Sequence, residues 1–176
     1  DGRAQPTKED KVQFMIQLNN AATGQFPVQM LYFLKYLVKY GPEGGSPLVD
    51  RDLVFYCEVQ KFKACSHNYS DEEMLRRKVM SIVDCFLDSH PPPTLQIDIP
   101  SEVQQKTVRA SQRYLSGKDV NPQIFDEAQF SVFKELLPFW AGFARSYKTP
   151  EEGTRRPLTK VEKERLQRLE EILEYD

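Results

Sequence analysis

Apolar residues recur at helical intervals along most of this chain, and clear breaks separate one stretch from the next. Thr7 and Asp10 have the spacing of a capping box, and Val12, Phe14, Met15 and Leu18 follow on one face. Gly24 ends that stretch. Pro27 suits a first helical turn, after which Met30, Leu31, Leu34, Leu37 and Val38 form an apolar face. Gly41 is the expected C-cap, and Gly41 to Pro47 reads as a loop. A third helix is expected from Asp50 or Asp52, carrying Leu53, Val54, Phe55, Cys57, Val59 and Phe62. Ser70 and Glu73 predict another capping box, followed by Met74, Leu75, Val79, Ile82, Val83, Phe86 and Leu87. Pro91, Pro92 and Pro93 stop that helix.

Leu95 to Ile99 alternates apolar and polar residues, but it is short and bounded by prolines, so it predicts an extended connector. Ser101 and Gln104 have capping spacing and lead into Val103, Val108, Tyr114 and Leu115, with Gly117 closing the helix. The densest apolar stretch, Ile124 to Tyr147, contains Pro138, which is expected to break or kink it into two helices. Phe139, Trp140 and Phe143 cluster around that proline. Phe143 reads as core; Trp140 suits either the core or a binding surface. Tyr32, Tyr36 and Tyr40 share one helix face, expected to pack on the N-terminal helix. Four regions follow: an N-terminal helical extension (1–27), a helical core (28–148), a charged, breaker-rich linker (149–157) and an amphipathic helix (158–176). Leu166, Leu169, Ile172 and Leu173 would let that last helix meet a partner, pack on its own domain or continue into further sequence.

Composition narrows the function classes. At 176 residues and 40% hydrophobic content, one sizeable core is expected. A net charge of −2 lacks the basic excess that phosphate backbones attract, so nucleic acid is not the expected partner. No apolar run suits a membrane span, and no signal-peptide pattern occurs at the start. Cys57, Cys65 and Cys85 are odd in number and form no C-x-x-C, which points to free thiols and a reducing compartment. A cytoplasmic location is expected, with the nucleus second. His67 and His90 have no ligand-spaced partners, and no nucleophile or phosphate-loop motif occurs. Asp71, Glu72 and Glu73 suit a helix start better than a catalytic carboxylate pair. No metal, cofactor or catalytic residue is predicted, and the chain reads as a monomeric all-α binding domain.

Several short words then converge. Asp52-Leu53-Val54-Phe55-Tyr56-Cys57-Glu58 resembles a segment of the RGS (regulator of G-protein signalling) domain, and Phe33-Leu34 resembles the Phe-Leu upstream of it. Phe125-Asp126-Glu127-Ala128-Gln129 is similar, almost letter for letter, to the family's Phe-Asp-x-Ala-Gln helix start. Phe143-Ala144-Arg145-Ser146 resembles its closing Phe-Leu-Lys-Ser. The resemblance implies an RGS-like bundle of about nine helices, here with an extra C-terminal helix. It also implies a partner, the activated α subunit of a heterotrimeric G protein. RGS domains speed GTP hydrolysis by holding the α subunit's switch loops, while the α subunit's own Gln and Arg do the chemistry.

The family's contact positions are altered in this chain. Its Glu-Asn pair stands as Arg51-Asp52, and its second Asn as Asp98. A late Asp and Arg, flanking the last contact loop, align with Pro138 and Gly142 when one residue of slippage is allowed. An ionised Asp only accepts hydrogen bonds, so Asp52 and Asp98 are expected to lose the amide donors that face the switch residues. The resemblance therefore implies a GTPase activator of weak or altered strength. The alternative is a non-catalytic RGS-like scaffold.

Overall fold

The computed structural model describes residues 1–24, 26–67, 71–89 and 95–147, with isolated positions 160, 161, 164, 167 and 168. Six α-helices fill the first four spans: α1 (Lys8–Thr23), α2 (Val28–Glu43), α3 (Val49–His67), α4 (Glu72–Ile82), α5 (Ser101–Leu115) and α6 (Asp126–Ser146). A π-helical turn, Val83–Leu87, extends α4. No strand occurs among the described residues, so the all-α expectation holds. The described helices are fewer than the family's about nine, and most of 158–176 lies outside the described residues.

Local chemistry explains most helix ends. Thr7 and Asp10 form a reciprocal capping box at α1. Gly41 is not a cap. Its helix runs on to Glu43 through Pro42, and Gly41 is buried where a Cβ would crowd Val49 and the Ser46 carbonyl. Gly44 takes the C-cap, and Gly45 supplies the positive φ of +82°. Asp71 caps α4, accepting from the Glu73 N–H, while Ser70, expected in that role, lies outside the described residues. At α5, Ser101 makes no cap bond, and Gln104 donates to the Leu87 carbonyl instead. The wider π turn lets the consecutive residues Phe86 and Leu87 both reach the core.

Two apolar clusters share α3 and α6 as a common spine. One joins α1 and α2 to the N-terminal half of α3 and the C-terminal half of α6, through Phe14, Phe33, Leu37, Trp140 and Phe143. Phe14 stacks on Trp140 at 5.0 Å, and Phe33 meets it edge-on at 5.1 Å. Trp140 is therefore a core residue. The second cluster joins α4 and α5 to the other ends of the spine, through Phe55, Phe62, Phe86, Tyr114 and Phe125.

Pro138 neither breaks nor splits α6, which is one helix of 21 residues. Leu136, Phe139, Trp140 and Phe143 are buried on either side of the proline, and that packing outweighs the missing N–H. The tyrosine face of α2 also differs from expectation. Tyr36 donates to the Gly2 carbonyl at 2.6 Å, while Tyr32 lies against Tyr147. These rings meet the segment before α1 and the end of α6.

Candidate partner-docking surface

The first turn of α3 carries Asp50, Arg51 and Asp52, where negative charge suits the helix N-terminus. The connector at 95–100 runs beside it, held to the end of the π turn. The Ile97 N–H donates to the Phe86 carbonyl at 3.0 Å, and the Gln96 amide donates to Leu87 at 3.0 Å. Ile97 is buried, while its neighbour Asp98 is exposed. Arg51 reaches the same connector, donating to the Gln96 carbonyl at 3.4 Å. Arg51, Asp52 and Asp98 thus come together.

Asp52 is only 3% exposed, and its Oδ1 has no hydrogen-bond partner. Burial pushes its carboxyl up to about 8, helped by the negative fields of Glu135, Asp98 and Asp50. This corrects the expectation of an ionised acceptor. At neutral pH Asp52 holds its proton, and a neutral carboxylic acid carries an O–H donor beside its acceptors, as an amide carries N–H. The Asp52 side chain is also not on open surface, whereas Asp98 is exposed.

Pro138 and Gly142 lie elsewhere. Residues three and seven positions beyond Glu135 share its side of α6, so one stripe holds Glu135, Pro138 and Gly142. Glu135 accepts from the Ser46 hydroxyl and faces Asp52. Pro138 and Gly142 lie further along, under the segment before α1, where the Ala4 N–H donates to the Pro138 carbonyl at 3.0 Å. They flank no loop, because α6 is continuous through both.

Glu135 and Ser46 belong to this surface, and sequence reading missed them. The stripe spacing could have found Glu135. Only the folded chain places Ser46 or residues 1–5 there. The Phe125 word, in contrast, is structural. Phe125 and Ala128 are fully buried, and Asp126 does not cap α6. Asp126 pairs with Lys63 at 2.9 Å, and Gln129 binds Gln60 and the Tyr56 carbonyl, tying α6 to α3.

No cluster of metal-ligating side chains occurs among the described residues, and the described helices include none long and apolar enough to cross a membrane. Cys57 is buried and its thiol is pushed up to about 12, so it is not an activated nucleophile.

Residues 27–146 match the family described as "Regulator of G protein signaling domain". The chain is 36% identical over 117 residues to human Regulator of G-protein signaling 22, covering 66% of this chain and 8% of that protein. It is 40% identical over 96 residues to the mouse protein of the same name, covering 54% of this chain and 7% of that protein. Human "Regulator of G-protein signaling protein-like" is 28% identical over 103 residues, 52% of this chain and 9% of that protein. The chain thus spans less than a tenth of the length of these relatives. With the matched span covering more than half of the chain, from α2 through the α3–α6 spine, the chain belongs to the regulator of G-protein signalling domain family.

Proposed function

We propose that this domain docks on the activated α subunit of a heterotrimeric G protein and accelerates its GTP hydrolysis weakly or in an altered manner. The chemistry would stay with the α subunit's own Gln and Arg, and this chain would add contacts to the switch loops. Family membership supports the partner. The observation that carries the weakened activity is the burial of Asp52 at the position where the family presents an exposed amide. Asp98 and Arg51 are left as the accessible polar groups of that corner, and their charges differ from the family's. On this reading residues 28–148 are the docking body. The linker 149–157 and the amphipathic segment 158–176 lie beyond that body, and the domain works as a monomer, cytoplasmic first and nuclear second.

A second reading, a non-catalytic scaffold, draws on the covered state of Pro138 and Gly142. The two readings separate by experiment. A panel of α subunits would be tested in GDP, GTP-analogue and aluminium-fluoride forms, with single-turnover hydrolysis on those that bind. Selective binding of the fluoride form with faster hydrolysis supports the activator. State-independent binding, or none, supports the scaffold.

A further inference from the structure

The segment before α1 crosses α6 on the stripe that holds Pro138 and Gly142, and backbone contacts hold it there. The Ala4 N–H bonds the Pro138 carbonyl, and Arg145 donates to the Gln5 carbonyl at 2.7 Å. Tyr36 donates to the Gly2 carbonyl, and the Arg3 guanidinium sits 5.7 Å from the centre of the Phe139 ring. The crossing point needs glycine on both sides. A Cβ on Gly142 would collide with the Gly2 carbonyl oxygen. Gly2 has a φ of +85°, and a Cβ there would come within 2.5 Å of the Tyr40 Cβ. The place where the family carries an arginine side chain is thus filled by this chain's own backbone.

We propose that residues 1–5 are an intramolecular cover over the α6 part of the docking surface, displaced when the partner's α subunit binds. This rests on the reading of Pro138 and Gly142 as docking positions given above. The cover is built to be released. Asp1, Arg3 and Gln5 are exposed, and no residue before Phe14 is among the buried apolar core. Its hold is a few hydrogen bonds and one cation–ring contact, each modest in water. A domain whose docking face is open in only a fraction of molecules binds more weakly by that fraction.

The test compares the full chain with two variants that attack the crossing from opposite sides. Gly2→Ala strains the cover and leaves α6 unchanged. Gly142→Ala removes its seat. Release is read by trypsin cleavage after Arg3, followed by mass. Affinity is read against the α subunit in its aluminium-fluoride form, and circular dichroism confirms that both variants are folded. Both variants are expected to be cut faster than the parent chain and to bind about tenfold tighter, the gain when an open state of about a tenth becomes nearly complete. By reciprocity, the bound α subunit should speed cleavage of the parent chain. Faster cleavage with unchanged affinity overturns the cover while leaving α-subunit docking intact. Equal cleavage in all three chains overturns it as well, because the segment would not be seated on α6. Binding by none of the three removes the docking reading and the cover together.

Discussion

Asp52 sets a pH dependence whose sign can be worked out. Its carboxyl has an ordinary value of 3.8 when unfolded and about 8 when folded. Between these values the folded chain keeps a proton that the unfolded chain has lost. The contribution to stability is therefore fully present below about 4 and is lost as pH rises toward about 8. Asp52→Asn, which cannot ionise, should raise the melting temperature at pH 8 and change it much less at pH 5. Equal shifts at both pH values would show that Asp52 is not the responsible group. The word containing Asp52 was legible in the sequence, but its depth was not. That depth depends on tertiary packing, and the negative fields that add to its effect come from Asp98 and Glu135, far along the chain. Phe125 is the opposite case, since its role followed from the local word. It is fully buried, edge-on to Phe62 at 5.7 Å. Phe125→Ala should cost about 3–5 kcal/mol by chemical denaturation.

Among elements, α6 departs furthest from expectation. Proline in a helix interior is costly in isolation, and the local rule predicts a break at Pro138. Leu136, Phe139, Trp140 and Phe143 override it, because each is buried only if the helix keeps its phase through the proline. Pro138→Ala restores an N–H to the ladder and should stabilise the chain by about 1–2 kcal/mol. A rise in the denaturant midpoint with an unchanged slope is the expected record, and a fall would mean that the ring itself packs productively. The α1 cap was readable because Thr7 and Asp10 are three residues apart and bond each other reciprocally, although Asp10 also takes a long-range contact from Arg145. The Ser101 cap was not, because Pro100 takes the cap position and Gln104 turns to donate to the Leu87 carbonyl, on a different element.

Across the whole molecule, the candidate surface groups Asp50, Asp98 and Glu135 around the buried Asp52. Steering by such charges acts over about a Debye length, roughly 8–10 Å at physiological salt. Asp98 is exposed, so Asp98→Asn should leave the melting temperature nearly unchanged while altering α-subunit affinity and its salt dependence. Paired with Asp52→Asn, it should raise affinity if the family's docking mode is merely weakened. No gain in a pull-down on the activated α subunit would argue for another mode. The sequence carried the helical class and the family words, because those depend on neighbours within a few turns. It did not carry the crossing of residues 1–5 over α6, which joins Gly2 to a position 140 residues away and leaves no periodic trace.

The chain's single tryptophan has a practical consequence. Trp140 is sealed between Phe14 and Phe33 in one apolar cluster, and the second cluster contains no indole. Its emission is therefore a built-in lamp for one half of the bundle alone. Fluorescence and far-ultraviolet circular dichroism, followed through the same denaturant titration, compare that half with the whole. Coincident curves mean the shared α3–α6 spine makes the two halves melt as one unit. Separated curves mean the half containing α1 and α2 can open by itself.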